Sequence, residues 1–317
     1  MPEASAPTRV AVIQAAPALF DREATLAKVA TLTTEAAAGG AQLVLFPEAF
    51  VPAYPRGLSF GVVVGSRSDE GRRLFARYHR NAVVVPSEAT DQLGAAARAA
   101  GVWLAIGIIE RDPIGGTLYC TLLYFGPDGA LLGKHRTLKP TAAERLVWGE
   151  GDGSTLPVLA TPFGRIGGLI CWENYMPLAR TALYTKGVEI YLAPTADARD
   201  LWQSTLQHIA LEGRCFVLAA NQYVTKSMYP RDLGPEALTD LESAPEEMCR
   251  GGSAILSPLG EYLAPPLYGR EGILYADLDP EALAGARFDF DAVGHYARPD
   301  VFLFAVDECA RRAGSAG

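Results

Sequence analysis

The chain has 317 residues, of which 49% are hydrophobic and 20% charged, and its formal net charge is -8. That balance belongs to a globular protein with a substantial core, and the acidic excess excludes a general nucleic-acid surface, which needs a basic face. No uncharged apolar run is long enough to predict a membrane span.

The opening, Met1-Pro-Glu-Ala-Ser-Ala-Pro-Thr8, lacks the basic start and apolar run of a secretory leader. Arg9-Val-Ala-Val-Ile-Gln14 reads as a strand; Asp21 then caps a helix with Leu26, Val29 and Leu32 on one face, which ends at Gly39-Gly40. Ala41–Phe46 reads as a second buried strand running into Pro47-Glu48. A helix over Asp91–Ala100 leads to the apolar run Val102–Ile109. Leu118–Phe125, the turn Gly126-Pro-Asp-Gly129 and Ala130–Arg136 form a hairpin.

The second half repeats this style. Ile166–Ile170 is a strand, Pro177–Lys186 a helix, Val188–Ala193 a strand, Asp200–Gly213 a helix and Cys215–Asn221 a strand. Ser253–Leu256 and Glu261–Ala264 form a late hairpin, whereas Thr225–Arg250 reads as one long polar loop. Hairpins within a βα alternation predict a mixed sheet, and no linker divides the chain. The expectation is one α/β domain over residues 1–317, with its core at about 8–308 and a short tail.

Three segments carry chemistry. In Gly167-Gly-Leu-Ile-Cys171-Trp-Glu-Asn a buried strand ends at a thiol just before a helix, where neighbouring amides can stabilise an anion. Alone, this pattern also fits a buried structural cysteine. In Phe46-Pro-Glu48 a carboxylate closes another apolar strand. It is a solvated loop residue if it stands alone, and a proton carrier with a raised pKa if it meets the thiol in an apolar pocket. Lys134-His-Arg-Thr137-Leu-Lys139-Pro-Thr is dense in charge, and a basic edge strand explains Lys134 and Arg136 equally well. Cys120, Cys171, Cys215, Cys249 and Cys309 are scattered, without a CxxC pair or a legible disulfide framework, which predicts a reducing cytoplasm.

These segments occur in the chain order of the nitrilase superfamily, which the sequence resembles from about residue 8 to 308. Tyr54-Pro-Arg-Gly, Glu144-Arg-Leu-Val-Trp-Gly-Glu-Gly-Asp-Gly, Ala193-Pro-Thr-Ala-Asp197, His208-Ile-Ala-Leu-Glu-Gly and Gly294-His-Tyr-Ala-Arg-Pro-Asp300 extend the likeness to plant-type nitrilases and their bacterial relatives. The resemblance implies a four-layer α-β-β-α sandwich and subunits paired into a homodimer or larger homo-oligomer. It also implies a Glu–Lys–Cys triad containing Glu48 and Cys171, with Glu144 as a second glutamate that orients the lysine or the attacking water. A salt bridge to Arg145 is the competing role for Glu144. Tyr54, Trp172 and Pro194 are the residues it implies for the pocket wall, and no metal or organic cofactor is expected.

One position departs from the pattern. The family lysine follows His-Arg, and here Thr137 follows His135-Arg136. Lys139 lies on the same face as Thr137 if the strand stays regular. Either a neighbouring lysine such as Lys139 reaches in, or the chain is a weakened variant. The expected reaction is hydrolysis of a small nitrile to an acid and ammonia, with an amidase or carbamoylase of the same superfamily as the alternative. A Cys–His protease pair is a further rival, but no protease motif surrounds His79, His135, His208 or His295.

Overall fold

A computed structural model describes residues 6–311. One sheet has the order β15-β1-β2-β5-β6-β7, formed by β1 (Thr8–Gln14), β2 (Leu43–Leu45), β5 (Trp103–Arg111), β6 (Leu118–Phe125), β7 (Leu131–Arg136) and β15 (Gly272–Leu278). The other runs β12-β13-β11-β10-β9-β8, from β8 (Leu159–Thr161), β9 (Gly164–Gly168), β10 (Ile190–Pro194), β11 (Phe216–Ala220), β12 (Tyr223–Thr225) and β13 (Glu247–Leu256), with β14 (Tyr262–Tyr268) paired to β13. A small hairpin joins β3 (Val62–Val63) to β4 (Ser66–Arg67). The helices are α1 (Arg22–Ala38), α2 (Asp69–Asn81), α3 (Glu88–Ala100), α4 (Pro177–Thr185), α5 (Leu201–Gly213), α6 (Pro235–Glu242) and α7 (Glu281–Ala286).

Strand alternation sorts the apolar side chains into layers. In β1, Val10 and Val12 join the core between the sheets, while Ala11 and Ile13 face α1 and α3. In β10, Ile190 and Leu192 face inward, while Tyr191 and Ala193 face α4 and α5. The result is the expected α-β-β-α sandwich. Gln14 pins the two sheets together: its Oε1 accepts from the amides of Gly252 and Ser253, each at 3.0 Å, and its Nε2 donates to the Leu267 and Arg270 carbonyls.

Most expected elements occur, with ends shifted by a few residues. Asp21 caps α1 by accepting from the Ala24 amide at 3.0 Å, and α3 begins a turn earlier than expected, where Thr90 Oγ1 reaches back to accept from the Ser87 amide at 2.8 Å. The segment read as a long polar loop is the main correction. It contains α6, which buries Ala237 and Leu241 in the inner core beside Phe60 and Leu74. Helix α2 and strand β15 were absent from the sequence expectation. Among the described residues, no helix is long and apolar enough to cross a membrane.

Candidate active site

Cys171 stands just beyond β9 at φ +54°, in the left-handed region that side-chain-bearing residues rarely occupy. The surrounding bonds hold this turn in place. Asn174 Nδ2 donates to the Leu169 and Cys171 carbonyls at 3.0 and 2.8 Å, and its Oδ1 accepts from Tyr191 Oη at 2.7 Å. Glu173 accepts from the Ile170 amide, the Leu138 amide and His135 Nε2. A helical turn begins at Cys171, so its first amides point away from the helix interior, where an anion can meet them. The Thr195 hydroxyl donates to Cys171 Sγ at 3.3 Å.

Glu48 arrives from the opposite sheet. It follows β2, is 2% exposed, and Ala49 after it has φ +46°. Gln222 Nε2 donates to the Glu48 carbonyl at 2.9 Å, and Phe50 donates its amide to Gly107. Gly107 is required here because a Cβ would fall 2.6 Å from Glu48 Cα. Glu48 Oε1 accepts from Cys120 Sγ at 3.5 Å, whereas Oε2 has no hydrogen-bond partner among the described residues. Burial and the nearby Glu144 carboxylate raise its pKa to about 8, against opposing pulls from the Cys171 and Cys120 thiols and the Ala196 amide. Burial also holds the Cys171 thiol well above the ordinary thiol range, reinforced by Glu48 and Glu144. Both shifts favour the protonated forms of the pair.

In front of Cys171 lies a cavity of about 420 Å³. Tyr54, Arg56, Thr141, Glu144, Trp172 and Ala196 are among its walls. Tyr54 Oη donates to Glu144 Oε1 at 2.5 Å and the Thr141 amide to Oε2 at 2.6 Å. Glu144 makes these bonds, while Arg145 turns to the Pro140 carbonyl. Burial raises the Glu144 pKa, against Tyr54, Thr141 and Arg56. Trp172 Nε1 donates to Asp197 Oδ2 at 2.8 Å, and the Arg199 guanidinium lies 4.8 Å from the Trp172 ring centre.

The structure thus brings Glu48, Cys171, Glu144, Tyr54 and Trp172 together. Lys139 is elsewhere. Strand β7 ends at Arg136 and the chain bends at Leu138–Lys139, which breaks the alternation that would have aimed Lys139 inward. Its ammonium pairs with Glu150 at the surface. Pro194 also departs from expectation, since it is buried within β10 opposite Ala220 and outside the cavity wall.

Thr137 is buried and sits across the strand pair from Cys120, the residue whose thiol meets Glu48. Position 137 is therefore linked to the Glu48 carboxyl through Cys120. Lys134 and Arg136 point to the opposite face, where both bond the buried Glu110. His135 is fixed between Glu173 and the Thr155 carbonyl, and His208 is exposed beside Glu212. No histidine lines the cavity, which removes the Cys–His rival.

Sequence reading did not single out Arg56, Thr195, Asp197 or Cys120. Arg56 and Thr195 stood inside recognised segments, and a lone arginine in the apolar stretch Val51–Arg56 was the available signal.

A family model described as carbon–nitrogen hydrolase matches residues 9–288. An aliphatic nitrilase of Sinorhizobium fredii is 57% identical over 300 residues, covering 95% of this chain and 96% of its own. A bifunctional nitrilase/nitrile hydratase of Nicotiana tabacum is 53% identical over 311 residues, covering 96% and 88%. Among solved structures, a nitrilase-superfamily member from Saccharomyces cerevisiae superposes with a TM-score of 0.71 at 23% identity, covering 94% of this chain and 98% of that one. An amidase from Nesterenkonia sp. gives 0.65 at 23% identity, covering 90% and 95%. These two likenesses concern the fold.

Proposed function

This chain belongs to the carbon–nitrogen hydrolase family and is a nitrilase, and from that premise we propose that Cys171 is its nucleophile and Glu48 its proton carrier. One observation supports this most strongly: a thiol on a strained turn in the cavity wall is met from the opposite sheet by a buried carboxyl with a raised pKa.

Glu48 takes the thiol proton as Cys171 sulfur attacks the nitrile carbon. A carbon–sulfur bond forms, one C–N π bond breaks, and the nitrogen receives the proton from Glu48 to give a thioimidate. Water then adds to that carbon, delivering a proton through Glu48 to the nitrogen. The new hydroxyl gives its proton, through Glu48, to the nitrogen as the C–N bond breaks, and ammonia leaves a thioester behind. A second water, deprotonated by Glu48, attacks the thioester; the carboxylic acid departs and the sulfur recovers its proton. The sum is one nitrile and two waters giving one acid and one ammonia. Glu144, held by Tyr54 and Thr141, orients the water, and Trp172 and Tyr54 bound the substrate side chain.

The protein works as a single domain in a homo-oligomer of the reducing cytoplasm, where its free cysteines stay reduced. Ammonia release from a panel of aliphatic, arylacetic and aromatic nitriles, run beside the matching amides, tests the reaction. Nitriles are expected to be turned over faster than amides. Amide hydrolysis alone would make the chain an amidase.

A further inference from the structure

We propose that Arg56 supplies the positive charge to the anions formed at Cys171, a role for which this chain holds no lysine in the cavity. The inference rests on the nitrilase reading above and adds a residue to it. Its starting point is a charge problem. Glu48 and Glu144 both lie against the thiol, and as Glu48 takes the proton its negative charge moves onto the sulfur and then the substrate nitrogen, in the same enclosed space as Glu144. Like charges repel far more strongly in such an enclosed space than in water, so a cation in the wall has a large effect on the barrier.

The other cations near the cavity are already engaged. Arg199 forks onto Asp197, Arg250 pairs with Asp200, Lys134 and Arg136 share Glu110, and Lys139 is held outside by Glu150. Arg56 differs from all of them. It lines the cavity, its guanidinium Nη2 donates to neutral acceptors, the Ala196 carbonyl and Cys249 Sγ at 3.7 Å, and it makes no salt bridge among the described residues, although it lies near enough to Glu144 to pull that carboxyl's pKa down. Among the described residues Nε and Nη1 have no hydrogen-bond acceptor, and the planar fork keeps its charge at any working pH.

Its anchor also places it close to the chemistry. Ala196 directly follows Thr195, the residue whose hydroxyl meets Cys171 Sγ. The arginine backbone is held by the segment that contains α6: Tyr229 Oη donates to the Arg56 carbonyl at 2.8 Å, and Ser59 donates its amide and hydroxyl to Asp240 at 2.8 and 2.7 Å. An arginine so fixed is preorganised to meet a developing anion without reorganising at the moment of reaction.

The test measures kcat and KM for butyronitrile in the unaltered protein, Arg56→Lys, Arg56→Met and Arg56→Met combined with Thr137→Lys, with thermal midpoints as a check on folding. Ammonia release by the unaltered protein belongs to the nitrilase reading and is measured first; its absence would overturn both. Given that activity, Arg56→Met should lose on the order of a hundred- to a thousandfold in kcat with KM within about threefold. Arg56→Lys should keep at least about tenfold more kcat than Arg56→Met, and Thr137→Lys should recover about tenfold or more in the methionine background. If Arg56→Met fails to fold, Arg56→Lys against Arg56→Gln makes the same comparison, since those side chains differ chiefly in charge. A loss confined to KM, or equal kcat in the charged and neutral variants, overturns the proposal.

Discussion

The two halves of the proposed reacting pair are built to different standards of completeness. Around Cys171 the polar groups of the turn are matched: Asn174, Glu173, His135 and Thr195 each bond a neighbour that fixes the sulfur. Around Glu48 the backbone is equally well held, yet among the described residues one carboxyl oxygen has no partner, and the Cys120 that meets the other pairs across its strand with Thr137. A matched frame fixes where an atom sits, whereas an unmatched carboxyl has its protonation set by burial and by Glu144. The nucleophile side therefore governs geometry, and the Glu48 side governs at which pH the enzyme works.

Glu48→Gln should have the largest effect, since an amide of the same shape cannot carry a proton. A loss of at least about a thousandfold in kcat is expected, with thermal stability equal to or above that of the unaltered protein because a buried titrating group is removed. Glu173→Ala should damage the other half. It strands the Ile170 and Leu138 amides and His135, and about 1–3 kcal/mol for each unmatched buried group predicts a loss of several kcal/mol in denaturant unfolding. Cys171 alkylation should slow in the same variant.

The pH dependence carries a definite sign. Glu48 must be ionised to accept the thiol proton, so kcat/KM should rise with pH through about 8, the value set by burial and Glu144. A lysine at position 137 would favour the carboxylate and lower that pKa. Thr137→Lys should therefore move the rising limb to lower pH, with a gain of up to about tenfold near pH 7 that vanishes on the alkaline plateau. An unchanged limb would mean that position 137 does not bear on Glu48. The smallest effect is expected for Lys139→Met, since an exposed pair with Glu150 contributes about 0–1 kcal/mol. A variant with rates within about twofold of the original would agree with its surface position, and abolished turnover would place Lys139 in the triad.

What the sequence revealed follows from how local each signal is. The strand before Cys171 and the one before Glu48 are short apolar runs bounded by turn residues, readable without any partner. Asp21 announced its helix because capping involves only the next few residues. The region of α6 gave no such signal, because its two inward side chains, Ala237 and Leu241, make sense only against α2 and Phe60. Lys139 was misplaced for a related reason. Alternation holds only while a strand continues, and the bend after Arg136 is imposed by Glu173, which captures the Leu138 amide from the other sheet. Arg56 was hidden because being unpaired is a property of the assembled cavity.

Mass spectrometry of the Cys171 peptide, quenched during turnover of a nitrile, tests the central claim most directly. The account predicts an acyl mass on Cys171, formed while ammonia is released and absent from Cys171→Ala, which should fold normally and turn over nothing. Steady ammonia release by Cys171→Ala, or an acyl mass on Cys120 or Cys249 in place of Cys171, would contradict it.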